Sequence, residues 1–439
     1  MILKIKNILC FIVYYMIVMR FLIDELCFPS FIKYIPDVCL AVISVFHFIG
    51  RRRKKTPPKM IKINYSVIVF FLYSCLTSLL SGTGILFFAW ALRCTFRFYL
   101  FFYYCIYYLD MYDIETVFNG LTKLFWVNLA VVLYQFFVQG FMWDYLGGLF
   151  GTTQGCNGYM NIFLIVILAY SINSYFKNKK SIIATGGYFV SSLIIAALSE
   201  IKFFFFEAVA IVLLALVINK PSVKTVKMAI VSVFSFCLGL LVLKIVFPDS
   251  YTLLWHKEQI SGYLETSGGI IKRSTAIPYI NEHFFDNKLI KQLFGLGFGN
   301  CEYSSFFKTP FAMKYDYTEY RYYSYGMQYL ETGLVGLVLY AAFFLEIFIS
   351  EIKLKFKYKF DSWTVCYLAT TIPLFMMNIW YNDSCKSEPA YLIYLSLAIV
   401  GIQYKSLKIN TPYTVTGMSH FKKKQPLVSI LFSTKQKIK

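Results

Sequence analysis

Apolar runs of 16 to 25 residues recur along the whole chain, and they fix what it can fold into. A run of that length spans a hydrocarbon core of roughly 30 Å as a helix, because a helix satisfies its own backbone hydrogen bonds in lipid. Membrane strands need alternating segments of about ten residues, and these runs do not alternate. Only 15% of the residues are charged while 58% are hydrophobic, too few polar groups to coat a soluble domain. The expected fold class is an all-α polytopic membrane protein of about 12 transmembrane helices. Spans are expected near 7–24, 34–50, 64–81, 85–109, 120–140, 157–175, 181–198, 203–218, 226–247, 324–350, 362–380 and 388–404.

The placement of charge orients these spans. The formal charge is +20, but the basic residues cluster in short connections, such as Arg51 to Lys55 and Lys353 to Lys359. With twelve spans, 27 of the 43 Lys and Arg lie on the side of the N-terminus and 11 on the other. That bias marks the N-terminal side as cytoplasmic and argues against nucleic acid as a partner. Both termini are then expected in the cytoplasm. The N-terminal stretch resembles a secretory signal without a small-residue cleavage site, so it is read as an uncleaved first helix.

The division that follows is 1–247 for spans one to nine, 248–323 for a large extracytoplasmic loop between spans 9 and 10, 324–404 for spans ten to twelve, and 405–439 for a basic cytoplasmic tail. The loop has 76 residues, eight basic and eight acidic, and is rich in Tyr and Gly. Long ordered loops tend to carry function. Ile277, Ile280 and Phe284 recur at helical spacing, with Pro278 expected in the first turn or at a kink. The eleven cysteines show no metal spacing and read as buried small apolar residues; a Cys156–Cys301 bridge has no further support.

Arg93 and Arg97 lie four apart, on one face of the fourth span. A charge inside a span costs ~2.5 kcal/mol or more on insertion scales and faces a polar cavity as a rule. Two guanidiniums on one face suit a diphosphate; the alternative is an internal ion pair, for instance with Glu207. Arg20, near the outer end of its span, reads as snorkelling to the surface.

Arg273 is followed after about twenty residues by Gly295-Leu-Gly297-Phe-Gly299-Asn300, and then by an aromatic-rich re-entry to the membrane bearing Glu331-Thr-Gly333-Leu-Val-Gly336. A bare Gly-x-Gly-x-Gly without a βαβ context does not indicate a dinucleotide site and reads as a tight turn. In this order, the segments resemble the O-antigen polymerase and O-antigen ligase family of bacterial membrane proteins. Gly151-Thr-Thr-Gln-Gly-Cys-Asn157 is similar to the family's Gly…Asn segment, and Ser199-Glu-Ile-Lys202 lies where the family often has Ser-Arg or a lysine. The resemblance covers roughly residues 145–350. At the re-entry this chain has Tyr322-Tyr-Ser-Tyr325-Gly, and of the family's His-Asn-x-Tyr-Leu only the last Tyr matches. Ligases lean on that histidine, so its absence favours the polymerase.

The resemblance implies a metal-independent glycosyltransferase, without cofactor, that joins undecaprenyl-diphosphate-linked oligosaccharide repeat units into O-antigen, capsule or exopolysaccharide. It implies Arg273 as the loop arginine, with Arg321, Tyr325 and Glu319 as further catalytic candidates and Arg93 and Arg97 on the diphosphate. Asn157, Gly295, Gly297, Gly299, Glu331 and Gly333 are its motif residues. Glu302, Asp316, Glu319 and His283 are carboxylates and an imidazole that suit a general base on the loop. Implied partners are the bilayer, the lipid-linked substrates, a chain-length regulator and a flippase. Alternatives are an O-antigen-type ligase, a lipid-linked glycan flippase or other transporter, and a glycosyltransferase with its acid at Asp24 or Glu25.

Overall fold

The computed structural model describes residues 2–51, 64–253, 271–304, 306–359 and 361–410. The basic cluster at 52–55, part of the large loop and most of the tail lie outside the described residues. Twelve helices of 17 or more residues run through the described residues: α1 (Ile2–Asp24), α2 (Ile35–Arg51), α3 (Asn64–Leu80), α4 (Ile85–Tyr108), α5 (Met111–Tyr134), α6 (Cys156–Phe176), α7 (Ile182–Leu198), α8 (Lys202–Ile218), α9 (Val223–Val246), α14 (Ser324–Phe356), α15 (Trp363–Tyr381) and α16 (Ala390–Asn410). Among the described residues between α9 and α14 lie four short helices: α10 (Pro248–Leu253), α11 (Ala276–His283), α12 (Leu289–Phe294) and α13 (Pro310–Tyr315). The described residues contain no strand beyond one isolated bridge between Tyr303 and Lys308.

Among the described residues, seven helical segments are long and apolar enough to cross a membrane: Lys4–Asp24, Ser30–Ile49, Ile85–Tyr108, Met111–Gln139, Cys156–Phe176, Val223–Val246 and Ser324–Phe356. Tyr65–Leu80 and Ile182–Leu198 are shorter apolar helices. Helix α5 begins well before the expected 120 because Asp110 caps it. Its carboxylate accepts from the Tyr112 and Asp113 amides, and the Asp113 side chain accepts from the Asp110 amide.

Helix α6 forms the centre of the bundle, buried on every face from Met160 to Phe176. It packs on α7, α8 and α15. Helix α9, by contrast, keeps Val226, Ile230, Val233 and Phe234 exposed on its outer side. Its apolar surface is matched to a nonpolar surrounding, as a rim helix requires.

Helix α14 is two helices joined across a kink. Gly333 has φ 65° and ψ −167°, outside the helical region. A straight 33-residue helix would run about 50 Å, well beyond a hydrocarbon core of roughly 30 Å. The break frees carbonyls, and the loop supplies their donors. The Leu296 amide donates to the Leu330 carbonyl (2.9 Å) and the Gly297 amide to the Glu331 carbonyl (2.9 Å). The Tyr73 hydroxyl donates to the Thr332 carbonyl (3.0 Å). Two membrane-type half-helices thus join at a point clamped by the Gly-rich segment.

Candidate functional site

The large loop sits over one end of the bundle. Helix α11 spans Ala276–His283, with Pro278 in its first turn as the spacing predicts. This loop-bearing end holds two cavities of different character.

The first is polar and about 370 Å³ in volume. Arg273 from the loop, Asn157 and Tyr159 from the start of α6, Glu200 and Lys202 from the α7–α8 turn, and Tyr381, Asn382 and Asp383 after α15 line it together with Asp144. Five stretches far apart in sequence meet here, Tyr322 and Tyr323 before α14 among them. Arg273 donates through Nε to the Tyr381 carbonyl (3.1 Å). Its guanidinium lies over the Tyr381 and Tyr323 rings, at 4.5 and 5.7 Å from their centres. The Tyr325 hydroxyl donates to the Arg273 carbonyl, so the expected Tyr325 acts on the backbone of the expected arginine. Asn157 donates to the Asp144 carboxylate (3.1 Å) and to the Ser199 carbonyl (3.1 Å). Lys202 pairs with Glu200 (3.0 Å), whose carboxylate also accepts from Ser250.

Asp383 is the carboxylate that sequence reasoning passed over. It follows directly on an apolar run, where Asn-Asp-Ser reads as a solvated connector. Enclosure by the protein pushes its carboxyl up to about 7; the neighbouring Glu388 adds to this, against the pull of its own amide, Arg20 and Arg321. Glu388 in the same connection is held below the usual carboxylate range. Burial pushes it up, and Arg20, its own amide and Arg97 together more than offset that. The Arg20–Glu388 pair measures 2.9 Å, so Arg20 ties α1 to this connection instead of snorkelling.

The second cavity, about 680 Å³, lies between α2, α3 and α4 and is walled by apolar side chains such as Leu40, Ile68, Phe71 and Phe96. Arg93 and Arg97 stand in its lining with Asp37. Arg93 holds Asp37 Oδ2 through Nε (3.0 Å) and Nη2 (2.5 Å), and Arg97 reaches Oδ1 at 3.4 Å. The ion-pair partner is therefore Asp37 and not Glu207. Glu207 accepts instead from Asn161 (2.8 Å) and Asn378 (2.7 Å) deep in the bundle. The structure does not bring Arg93 and Arg97 into the polar cavity. Charges do run between the two: Arg97 and Arg20 both act on Glu388, and Arg20 and Arg321 on Asp383.

The glycine motif forms a third cluster, a clamp. Gly295, Gly297 and Gly299 all have positive φ (75°, 102° and 93°), a region that costs other residues steric strain. The Gly299 and Cys301 amides donate to Glu331 Oε1 at 3.1 and 3.2 Å. A Cβ on Gly299 would stand 2.9 Å from the Phe87 carbonyl oxygen, and one on Gly333 would fall on the Leu293 carbonyl. Gly295, Gly297, Gly299, Glu331 and Gly333 are thus brought together, and their common work is holding the broken α14 against the loop.

Arg321 and Glu319 stand apart from these groups. Arg321 pairs with Asp316 (2.5 Å) and lies 4.2 Å from the centre of the Tyr303 ring. Glu319 has φ 58° and accepts from the Tyr322 hydroxyl (3.2 Å). Neither lines the polar cavity. Burial pushes Glu302 up, against Lys386, Arg321 and Arg93. His283 is stacked on Tyr279 at 4.0 Å between ring centres, on the outside of α11. Asp24 accepts from the Thr152 amide (3.0 Å) and Glu25 from Gln139 (2.8 Å), so both fasten the 135–152 segment. Cys156 and Cys301 are free thiols.

No family model matches the chain, and no curated protein matches it.

Proposed function

We propose that the protein is a polymerase of undecaprenyl-diphosphate-linked oligosaccharide repeat units, working by glycosyl transfer at the outer face of a bacterial cytoplasmic membrane. In this reading the twelve long helices are spans, the loop-bearing end faces outward, and both termini are cytoplasmic. The basic end, where Lys177 and Lys355 meet Asp361 and Lys179 meets Glu115, then faces the cytoplasm.

The observation that carries the reading is the polar cavity, where Arg273, Asn157 and the Ser199–Lys202 turn converge with Tyr325 bracing the arginine. Cleavage of a glycosyl diphosphate builds negative charge on the leaving phosphate. A fixed guanidinium in a water-poor site stabilises that charge more in the transition state than before it. Arg273 is such a group: its Nε is held and its planar head is sandwiched by tyrosine rings. Tyr322, exposed at the cavity, offers a ring face for a sugar. Arg93 and Arg97 sit where an apolar groove meets charge, a form that suits a polyprenyl chain ending in a diphosphate.

The test uses lipid-linked repeat units purified from a strain lacking the gene. Purified protein in liposomes is expected to convert them to a ladder of longer glycans and to free undecaprenyl diphosphate. Arg273→Ala is expected to give no ladder. A wild-type protein that leaves the units unextended contradicts the proposal.

A further inference from the structure

Three carboxylates line the polar cavity, and two of them are engaged. Asp144 accepts from Asn157 at 3.1 Å, and Glu200 holds Lys202 at 3.0 Å and the Ser250 hydroxyl. The Asp383 carboxylate meets its own backbone amide, and among the described residues no side chain pairs with it. We propose that Asp383 is the general base that takes the proton from the acceptor hydroxyl, across the same cavity in which Arg273 holds the leaving diphosphate. This rests on the transferase reading above.

The backbone around Asp383 is fixed as a catalytic group requires. Its carbonyl accepts from the Lys386 amide (2.8 Å) and the Ser387 hydroxyl (3.1 Å). The Ser384 amide donates to Asn382 Oδ1 (2.9 Å), and the Asn382 carbonyl accepts from the Ser324 amide (3.0 Å) at the head of α14. Two residues earlier, the Tyr381 carbonyl anchors Arg273. One short segment therefore sets both the base and the arginine, so their separation does not depend on the rest of the loop.

Among the described residues, no carboxylate of the outer loop lines this cavity. Asp316 is taken up by Arg321 and Lys308, and Glu319 by the Tyr322 hydroxyl. A base works best with a pKa near the working pH, and enclosure brings Asp383 to about 7. The groups that act on it are Glu388 and its own amide in the same connection, Arg20 from α1 and Arg321 from the loop. Asp383 in turn acts on the Tyr159 phenol of α6 and on Tyr322. Across the cavity stand Arg273, Lys202, Glu200 and Asp144.

The step balances without a further reagent. The acceptor hydroxyl oxygen bonds to the anomeric carbon as the bond from that carbon to the diphosphate oxygen breaks. The electron pair of the broken bond stays on the diphosphate, beside Arg273. The hydroxyl proton passes to Asp383 and from there to water. Since the carboxylate form is the active one, the rate rises with pH through about 7 and is lost below it.

The experiment is made in the source bacterium, whose own lipid-linked units are the substrate. Chromosomal Asp383→Asn and Asp383→Glu strains are compared with wild type and a deletion at external pH 6 and 8. Surface polymer, single lipid-linked units and membrane abundance of the protein are measured. Asp383→Asn at wild-type abundance is expected to lose about 100-fold or more of extension at both pH values. Asp383→Glu is expected to keep measurable extension with a displaced pH profile, while wild type gains severalfold from pH 6 to 8. Wild-type extension in Asp383→Asn, or losses in both variants that merely follow protein abundance, overturns the base. Normal polymer in the deletion strain overturns the transferase reading itself, and the base with it.

Discussion

The two cavities at the loop-bearing end both carry arginine, yet they use it in opposite ways. Arg93 and Arg97 share Asp37 in an apolar groove, where the one carboxylate offsets half of their formal charge. Arg273 stands on a backbone carbonyl and two tyrosine rings in a polar chamber, contacts that hold its planar head in place. A guanidinium tied to carboxylate is built for structure or for exchange with an anionic ligand. One held by dipoles and π faces is built to meet new charge. In the proposed function, the leaving group goes to the polar chamber and the lipid chain to the apolar groove.

Conservative substitution breaks this comparison most sharply. Arg273→Lys loses the planar head that the rings and the Tyr381 carbonyl hold, and extension is expected to fall roughly 10- to 100-fold in single-turnover assays. Arg97→Lys is expected to weaken apparent substrate affinity only severalfold, with normal accumulation in the membrane. Equal effects would erase the distinction between the cavities. Asp37→Ala leaves two guanidiniums in an apolar wall. The pair is partly exposed, so the loss of stability is set between surface and buried values, at ~1–3 kcal/mol, read from thermal unfolding in detergent. An unchanged unfolding temperature would show that Asp37 does not hold the arginines.

The glycine clamp gives a change of similar size by another cause. Gly333→Ala puts a Cβ on the Leu293 carbonyl at a positive φ, and is expected to cost ~1–3 kcal/mol of stability while leaving the residues of both cavities in place. Tyr325→Phe removes one hydroxyl donor to the Arg273 carbonyl. It is expected to cost ~1 kcal/mol, about fivefold in extension rate, with stability nearly unchanged.

Much of this layout is legible in the sequence. Length and apolarity mark the seven membrane-type segments among the described residues, because a run that fills a hydrocarbon core has few alternatives. Arg273, Asn157 and Ser199-Glu-Ile-Lys202 stand out in the sequence through a family resemblance, and Arg273, Asn157, Glu200 and Lys202 line one polar cavity. The start of α5 is readable in hindsight from Asp110 and Asp113, a capping box hidden beside an apolar run. The partner of Arg93 and Arg97 is not readable: Asp37 lies 56 residues before Arg93, and nothing local distinguishes it from Glu207. Asp383 is hidden for the same reason. Its identity says solvated connector, and only tertiary enclosure turns it into a carboxylate that titrates near neutrality. The glycine motif stands out in the sequence, but its work does not, since the break it clamps arises from one residue of α14.

The central claim is that Arg273 meets the diphosphate of a polyprenyl carrier. Titration of undecaprenyl diphosphate into purified wild-type and Arg273→Ala protein tests it without knowledge of the sugar. The account predicts saturable binding to wild type and at least tenfold weaker binding to Arg273→Ala, with undecaprenol bound poorly by both. Equal affinity of the two proteins for undecaprenyl diphosphate would contradict it.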